Sequence, residues 1–162
     1  MGSYWLVGAG GLTVAVIGGL AAWYGWSPHR RLRQRVIRLR QARDLFHLRR
    51  EHLEARFVSL ASRSGIPRGL EWSDVDFQDS VRFARERGTG NLRALVGVTV
   101  RFRAIEGGGM EDVDMVERSR AATAVFLYDT DAWTTTGRVL FNVNPEQAIQ
   151  RFGHELETVD ES

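Results

Sequence analysis

Asp74 and Asp76 stand two residues apart with Asp79 close behind, and in a strand that interval places both carboxylates on one face. Such a pair could hold a hard cation or divide acid and base work between two groups. Acids also gather at strand ends and turns for solvation alone, and that is the reading preferred for these three. A denser run follows at Glu106-Gly107-Gly108-Gly109-Met110-Glu111-Asp112-Val113-Asp114, with Glu117 beyond it. It matches no calcium-loop spacing, and a phosphate-binding loop would have its glycines open a helix without adjacent acids. Gly107, Gly108, Gly109, Glu111, Asp112 and Asp114 are expected to form a solvated connection between two strands that docks a partner.

The four histidines, His29, His47, His52 and His154, add little. His47 and Glu51 lie one helical turn apart, as surface pairs on helices commonly do. No Gly-x-Ser-x-Gly elbow, His-Glu-x-x-His pair or dinucleotide fingerprint occurs. The chain has no cysteine, which excludes a disulfide framework, a thiolate zinc site, an iron–sulfur cluster and a cysteine nucleophile. All 22 basic side chains are arginine, which excludes a Schiff-base or P-loop lysine. No catalytic residue, metal site or cofactor is assigned, and a non-enzymatic protein is expected.

The elements that would position these residues begin with an uncharged run from Tyr4 to Trp26, YWLVGAGGLTVAVIGGLAAWYGW. As a helix it would span about 34 Å, enough to cross a bilayer. Tyr4 and Trp5 at one end and Trp23, Tyr24 and Trp26 at the other fit the two headgroup boundaries. Arg30, Arg31, Arg33, Arg35, Arg38 and Arg40 follow at once, so the positive-inside rule puts the N-terminus outside and the C-terminal domain in the cytoplasm. The expectation is a single-pass protein of the bacterial inner membrane, its six arginines against anionic headgroups. Gly11, Ala15 and Gly19 form a small-residue stripe through which two such helices could pack.

From His29 to Ser64 there is no Gly, and no Pro after Pro28, and the pattern is that of one long helix. Leu32, Leu39, Phe46, Leu53 and Leu60 recur every seven residues, with Val36 and Phe57 in the intervening seam positions and Arg43 and Arg50 in the other two. The far end of the seam is expected to pack on the chain's own sheet and the near end to pair with a second copy. Ten arginines and three carboxylates lie between Arg30 and Arg56, against twelve and seventeen beyond it. The net charge of +2 is thus a near-cancellation of +7 and −5. Membrane topology accounts for the basic helix; nucleic acid is the rival reading, disfavoured because no DNA-binding module or stacking platform accompanies it.

After Gly65-Ile66-Pro67-Arg68-Gly69 the period changes to two. Leu92 to Ile105 alternates as a long strand, hairpin-paired with Val81–Arg85, and a weaker strand is expected around Leu70 to Phe77. Ala121–Tyr128 and Trp133–Val143 make two more strands. Asn144-Pro145-Glu146-Gln147 then opens a helix, with Asn at the cap and Pro at the first position, whose apolar face is Ala148, Ile149, Phe152 and Leu156. Trp72, Phe83, Phe102, Phe126, Tyr128, Trp133 and Phe141 are expected mostly as core, with a ligand-holding hollow as the lesser alternative. The fold expected is α+β: a transmembrane helix at 4–26, a basic helix at 29–64, then at 65–158 a four- to five-stranded antiparallel sheet with a short C-terminal helix, and a tail at 159–162.

That order resembles the cystatin-like and nuclear-transport-factor-like folds, in which a curved sheet grips a long helix. The runs GIPRGLEW, IEGGGMEDV, RAATAVF and WTTTGRVLFNVNPEQA resemble a pattern of uncharacterised single-pass proteins of planctomycete-type bacteria, which implies no biochemical role. The expected function is protein–protein interaction or self-association, as a homodimer or with another protein, at the cytoplasmic membrane face. The alternatives are a membrane-tethered domain using a grip-fold cavity and an envelope-complex subunit of VirB8-like architecture.

Overall fold

The computed structural model describes residues 36–64, 70–107 and 119–159. The chain divides into two compact units, Met1–Arg43 and Asp44–Ser162. Of the first, only residues 36–43 are described, and they are helical. The helical stretch 36–61 is α1. The second unit continues with β1 (Leu70–Glu86), β2 (Leu92–Ala104), β3 (Arg120–Asp129), β4 (Ala132–Thr134), β5 (Val139–Phe141), α2 (Pro145–Arg151) and β6 (Leu156–Thr158).

The alternation along β2 sets one face of the sheet. Ala94, Val96, Val98, Val100 and Phe102 are all buried, and through the antiparallel pairing they share a face with Val75, Phe77 and Phe83 of β1 and with Ala122, Ala124 and Phe126 of β3. The strand order is β4-β3-β2-β1-β6, with β5 continuing the edge beside β3. Across this face Phe46 meets Phe83, Phe126 and Trp133 at ring separations of 5.8, 5.4 and 5.0 Å. Phe57 meets Phe77 and Phe126 at 5.8 and 5.7 Å. Phe46, Leu53, Phe57 and Ala61 are buried to within 2 % of completion, so the seven-residue seam serves the chain's own sheet. The opposite face carries a smaller core of Ala84, Leu95, Val125, Val143, Ala148, Ile149 and Leu156, closed by α2.

β1 is one strand where the sequence suggested two, because bulges interrupt its alternation. Three residues, Gln78 to Ser80, oppose the single Gly97 of β2, and Ser73 is a further insertion. A side chain at position 97 would collide with the Gln78 amide, its Cβ 2.1 Å from Oε1. The bulge turns two carbonyls toward the helix, and Arg50 donates to both, through Nη1 to Asp79 O at 2.7 Å and through Nη2 to Gln78 O. Its Nε donates to Glu54 Oε1 at 2.7 Å. A seam arginine that looked costly in a helix dimer is here a charge-assisted clamp between α1 and β1.

The expected Trp133–Val143 strand is broken into β4 and β5. Thr135 Oγ1 donates to Val125 O at 3.1 Å and accepts from Gly137 N at 3.1 Å, and Gly137 has φ of 76°. Its missing Cβ would lie 2.7 Å from the Ala61 backbone nitrogen. The edge therefore bends where α1 comes closest. α2 begins as expected, with Asn144 and Gln147 forming a reciprocal capping box, but it stops at Arg151. Leu156 belongs to β6, which pairs with Ala84–Glu86.

The single-pass membrane fold is corrected: the architecture is an α+β sheet with two helices, and among the described residues no helix is long and apolar enough to cross a membrane. α1 is amphipathic, with an aromatic stripe on the sheet and arginines outside it. Residues 4–26, on which the membrane expectation rested, lie outside the described residues.

Phe46→Ala should cost about 3–5 kcal/mol, as truncation of a fully buried phenylalanine does, read as a lower denaturation midpoint at unchanged slope. Gly137→Ala should cost about 1–3 kcal/mol because it combines a left-handed backbone with a backbone collision. A neutral result at either position would contradict this packing.

Candidate functional site

The sheet arginines are matched to carboxylates by strand register. Arg101 lies opposite Asp74, and Arg103 opposite Glu71, giving ion pairs of 3.1 and 2.6 Å. Arg82 reaches Glu146 at 2.6 Å, Arg87 reaches Glu157 at 3.2 Å and Arg93 reaches Glu86 at 2.6 Å. Exposed pairs of this kind contribute about 0–1 kcal/mol each. Asp74 and Asp76 do share a face, as expected from their spacing, but Asp74 is engaged by Arg101. Among the described residues no group of three or more potential ligands could hold a metal ion.

α1 differs. At about 100° per residue, Arg49 and Arg56 lie on one flank of the buried stripe, seven residues or about 10.5 Å apart, and Arg63 follows in the turn that closes the helix. All three are exposed, and none forms an ion pair among the described residues. The carboxylates of this segment, Asp44, Glu51 and Glu54, fall on other sides of the helix, and Glu54 is taken by Arg50. Phe46, Leu53 and Phe57 in the sheet on one side, and Arg50 in the β1 bulge, fix the rotation that keeps this flank outward. Arg120, exposed at the start of β3, is likewise without an ion pair among the described residues.

On the face of the sheet where a grip-type fold would hold a ligand, Phe46 and Phe57 stand fully buried with Phe126. The outer edge of β1 is bulged, charged and clamped by Arg50, and the β4–β5 edge is interrupted at Thr135 to Arg138; both are ways of discouraging strand pairing. Nothing supports the expected homodimer or protein partner, and that expectation is withdrawn.

Of the residues singled out from sequence, Arg38 and Arg40 are exposed on helical residues of the first unit, and Gly107 sits in the turn after β2 with φ of 78°. Arg30, Arg31, Arg33, Arg35, Gly11, Ala15, Gly19, Gly108, Gly109, Glu111, Asp112 and Asp114 lie outside the described residues. Arg49, Arg56 and Arg63 were not singled out. Their signal was a second seven-residue register, displaced by three from Phe46, Leu53 and Leu60.

No family model, curated protein or solved structure matches the chain. The resemblance to planctomycete-type proteins is accordingly not sustained. With no membrane-crossing helix among the described residues, the lipid-bilayer partner, the inner-membrane location with its orientation, the membrane-tethered ligand-binding or enzymatic domain and the VirB8-like subunit are overturned with it.

Hydrogen bonds from Thr89 and Arg93 hold the Glu86 carboxyl below its ordinary value of 4.5, and a hydrogen bond from Arg82 does the same for Glu146. Groups depressed in the folded state stabilise it fully above the unfolded value, near 4.5, and lose that contribution as pH falls through the lowered folded value. Glu86→Gln should therefore lower Tm at neutral pH and shrink the fall in Tm on acidification. A profile displaced by the same amount at every pH would contradict this.

Proposed function

We propose that the chain is a non-enzymatic binding module that presents the Arg49–Arg56–Arg63 flank of α1 to a phosphate-bearing polyanion. The supporting observation is their alignment: Arg49, Arg56 and Arg63 stand exposed along one flank of α1 and the turn after it with no ion pair among the described residues, whereas Arg82, Arg87, Arg93, Arg101 and Arg103 meet carboxylates. Apart from that row, Arg120, Arg138 and Arg151 are also exposed without an ion pair among the described residues. Guanidinium groups recognise phosphate oxygens through forked donors. A rigidly mounted row loses little entropy on binding.

Among the described residues no helix is long and apolar enough to cross a membrane, and the arginine row of α1 is open to a different counterpart. A polyanion supplies one, since each phosphate that meets an arginine releases condensed counterions. The two-sided charge distribution helps as well. Within the second unit, residues 44–64 carry four arginines and three carboxylates, while the described residues beyond carry nine arginines and eleven carboxylates, so the unit's positive excess lies on α1 and the turn after it.

Affinity of the full chain for a fluorescently labelled nucleic-acid duplex, measured by anisotropy over a range of salt, tests this. Binding should weaken as salt rises. Replacing Arg49, Arg56 and Arg63 together by Gln should reduce the slope of log K against log salt by about 2 to 3, at about 0.9 per lost phosphate contact. Replacing Arg101 and Arg103 should leave it unchanged. Equal losses from both sets, or no binding at all, would overturn the proposal.

A further inference from the structure

Among the described residues, a row of aromatic rings continues past Phe57 on the sheet face. Phe57 meets Trp72 at 6.3 Å, Trp72 meets Phe102 at 6.0 Å, and Phe102 meets Phe141 at 6.1 Å. Along the row Phe57 is fully buried, Trp72 is half-buried, Phe102 is 7 % exposed and Phe141, the last ring, is 38 % exposed. Strand register sets Arg120 among them. It pairs with Val100 on β2, two residues before Phe102, and it lies two residues before Ala122, the partner of Phe141. Alternation therefore puts Arg120 on the same face as the rings.

The arginine flank of α1 arrives at this end of the domain. Leu60 and Ala61 abut Gly137, two residues before β5 begins, and Arg63 is two residues further on. A cationic row thus leads to aromatic rings, the last of them Phe141 in solvent, beside another arginine that has no ion pair among the described residues.

We propose that the partner is a single-stranded nucleic acid, its phosphates on Arg49, Arg56, Arg63 and Arg120 and one or more bases stacked on Phe141 and Trp72. This rests on the polyanion reading and adds the aromatic contribution to it. Duplex bases are already stacked and cannot offer their faces to a ring, whereas unpaired bases can, whatever their sequence. The same row explains why aromatic side chains are exposed in a domain that buries Phe46, Phe57 and Phe126 completely.

Anisotropy of the full chain with labelled oligothymidylate, oligouridylate and a duplex of equal charge, at one salt concentration, separates the two readings. The single strands should bind at least about tenfold tighter than the duplex. Phe141→Ala should weaken single-strand binding by at least about fivefold, the low end for loss of one stacked base, and leave duplex binding unchanged, with Phe141→Trp restoring it. In the unsubstituted chain, single strands should quench tryptophan fluorescence, and Trp72→Phe should abolish that quenching. Equal affinity for single strand and duplex, with no effect of Phe141→Ala and no quenching, would overturn the stacking proposal while the polyanion reading stood. Absence of binding to every probe would overturn both.

Discussion

The contact on which the rest of the structure depends is the insertion of Phe46 and Phe57 into the curved face of the sheet. Edge-to-face ring pairs contribute about 0.5–1.5 kcal/mol each beyond the area they bury, and Phe46 alone makes three with the sheet side of the core. Their geometric consequence matters as much as their energy. Once those rings are seated, the helix can be rotated only one way. Arg50 falls over the β1 bulge and donates to its carbonyls, and Arg49 and Arg56 are left on the opposite flank facing solvent. The placement of charge follows from the packing of aromatics.

The sheet's own construction serves the same end. Its bulges curve β1 around the helix, Gly97 gives the Gln78 amide room, and Gly137 lets the far edge approach α1 closely. Cross-strand pairs such as Arg101–Asp74 and Arg103–Glu71 then satisfy the sheet's charges locally. Among the described residues, Arg49, Arg56 and Arg63 remain without an ion pair along α1 and the turn after it, as do Arg120, Arg138 and Arg151 elsewhere. An exposed cation that folding has not paired adds little to stability and remains available for a partner.

Much of this fold was legible in the sequence, for identifiable reasons. The strict alternation of β2 and the Asn144–Gln147 capping box are local signals, and both elements formed where they were expected. The seven-residue recurrence of Phe46 and Leu53 identified the buried stripe of α1. Bulges defeat alternation, so β1 read as two pieces. A three-residue strand such as β6 exists only because β1 offers it an edge, and Leu156 was read instead as the end of α2's apolar face. The membrane reading rested on residues 4–26, which lie outside the described residues, and no described helix is long and apolar enough to cross a membrane. The site was half legible: the spacing of Arg49, Arg56 and Arg63 is plain in the chain, but their lack of partners could not be read there. Which arginine meets which carboxylate depends on strand register, and register depends on bulges.

The most direct test of the central claim is to follow the arginine Nε–H resonances by NMR while oligothymidylate is added. The signals of Arg49, Arg56, Arg63 and Arg120 should shift in proportion to occupancy, while those of Arg82, Arg101 and Arg103, held by carboxylates, should stay in place. Shifts confined to the sheet arginines, or shifts spread evenly over all of them, would contradict the account.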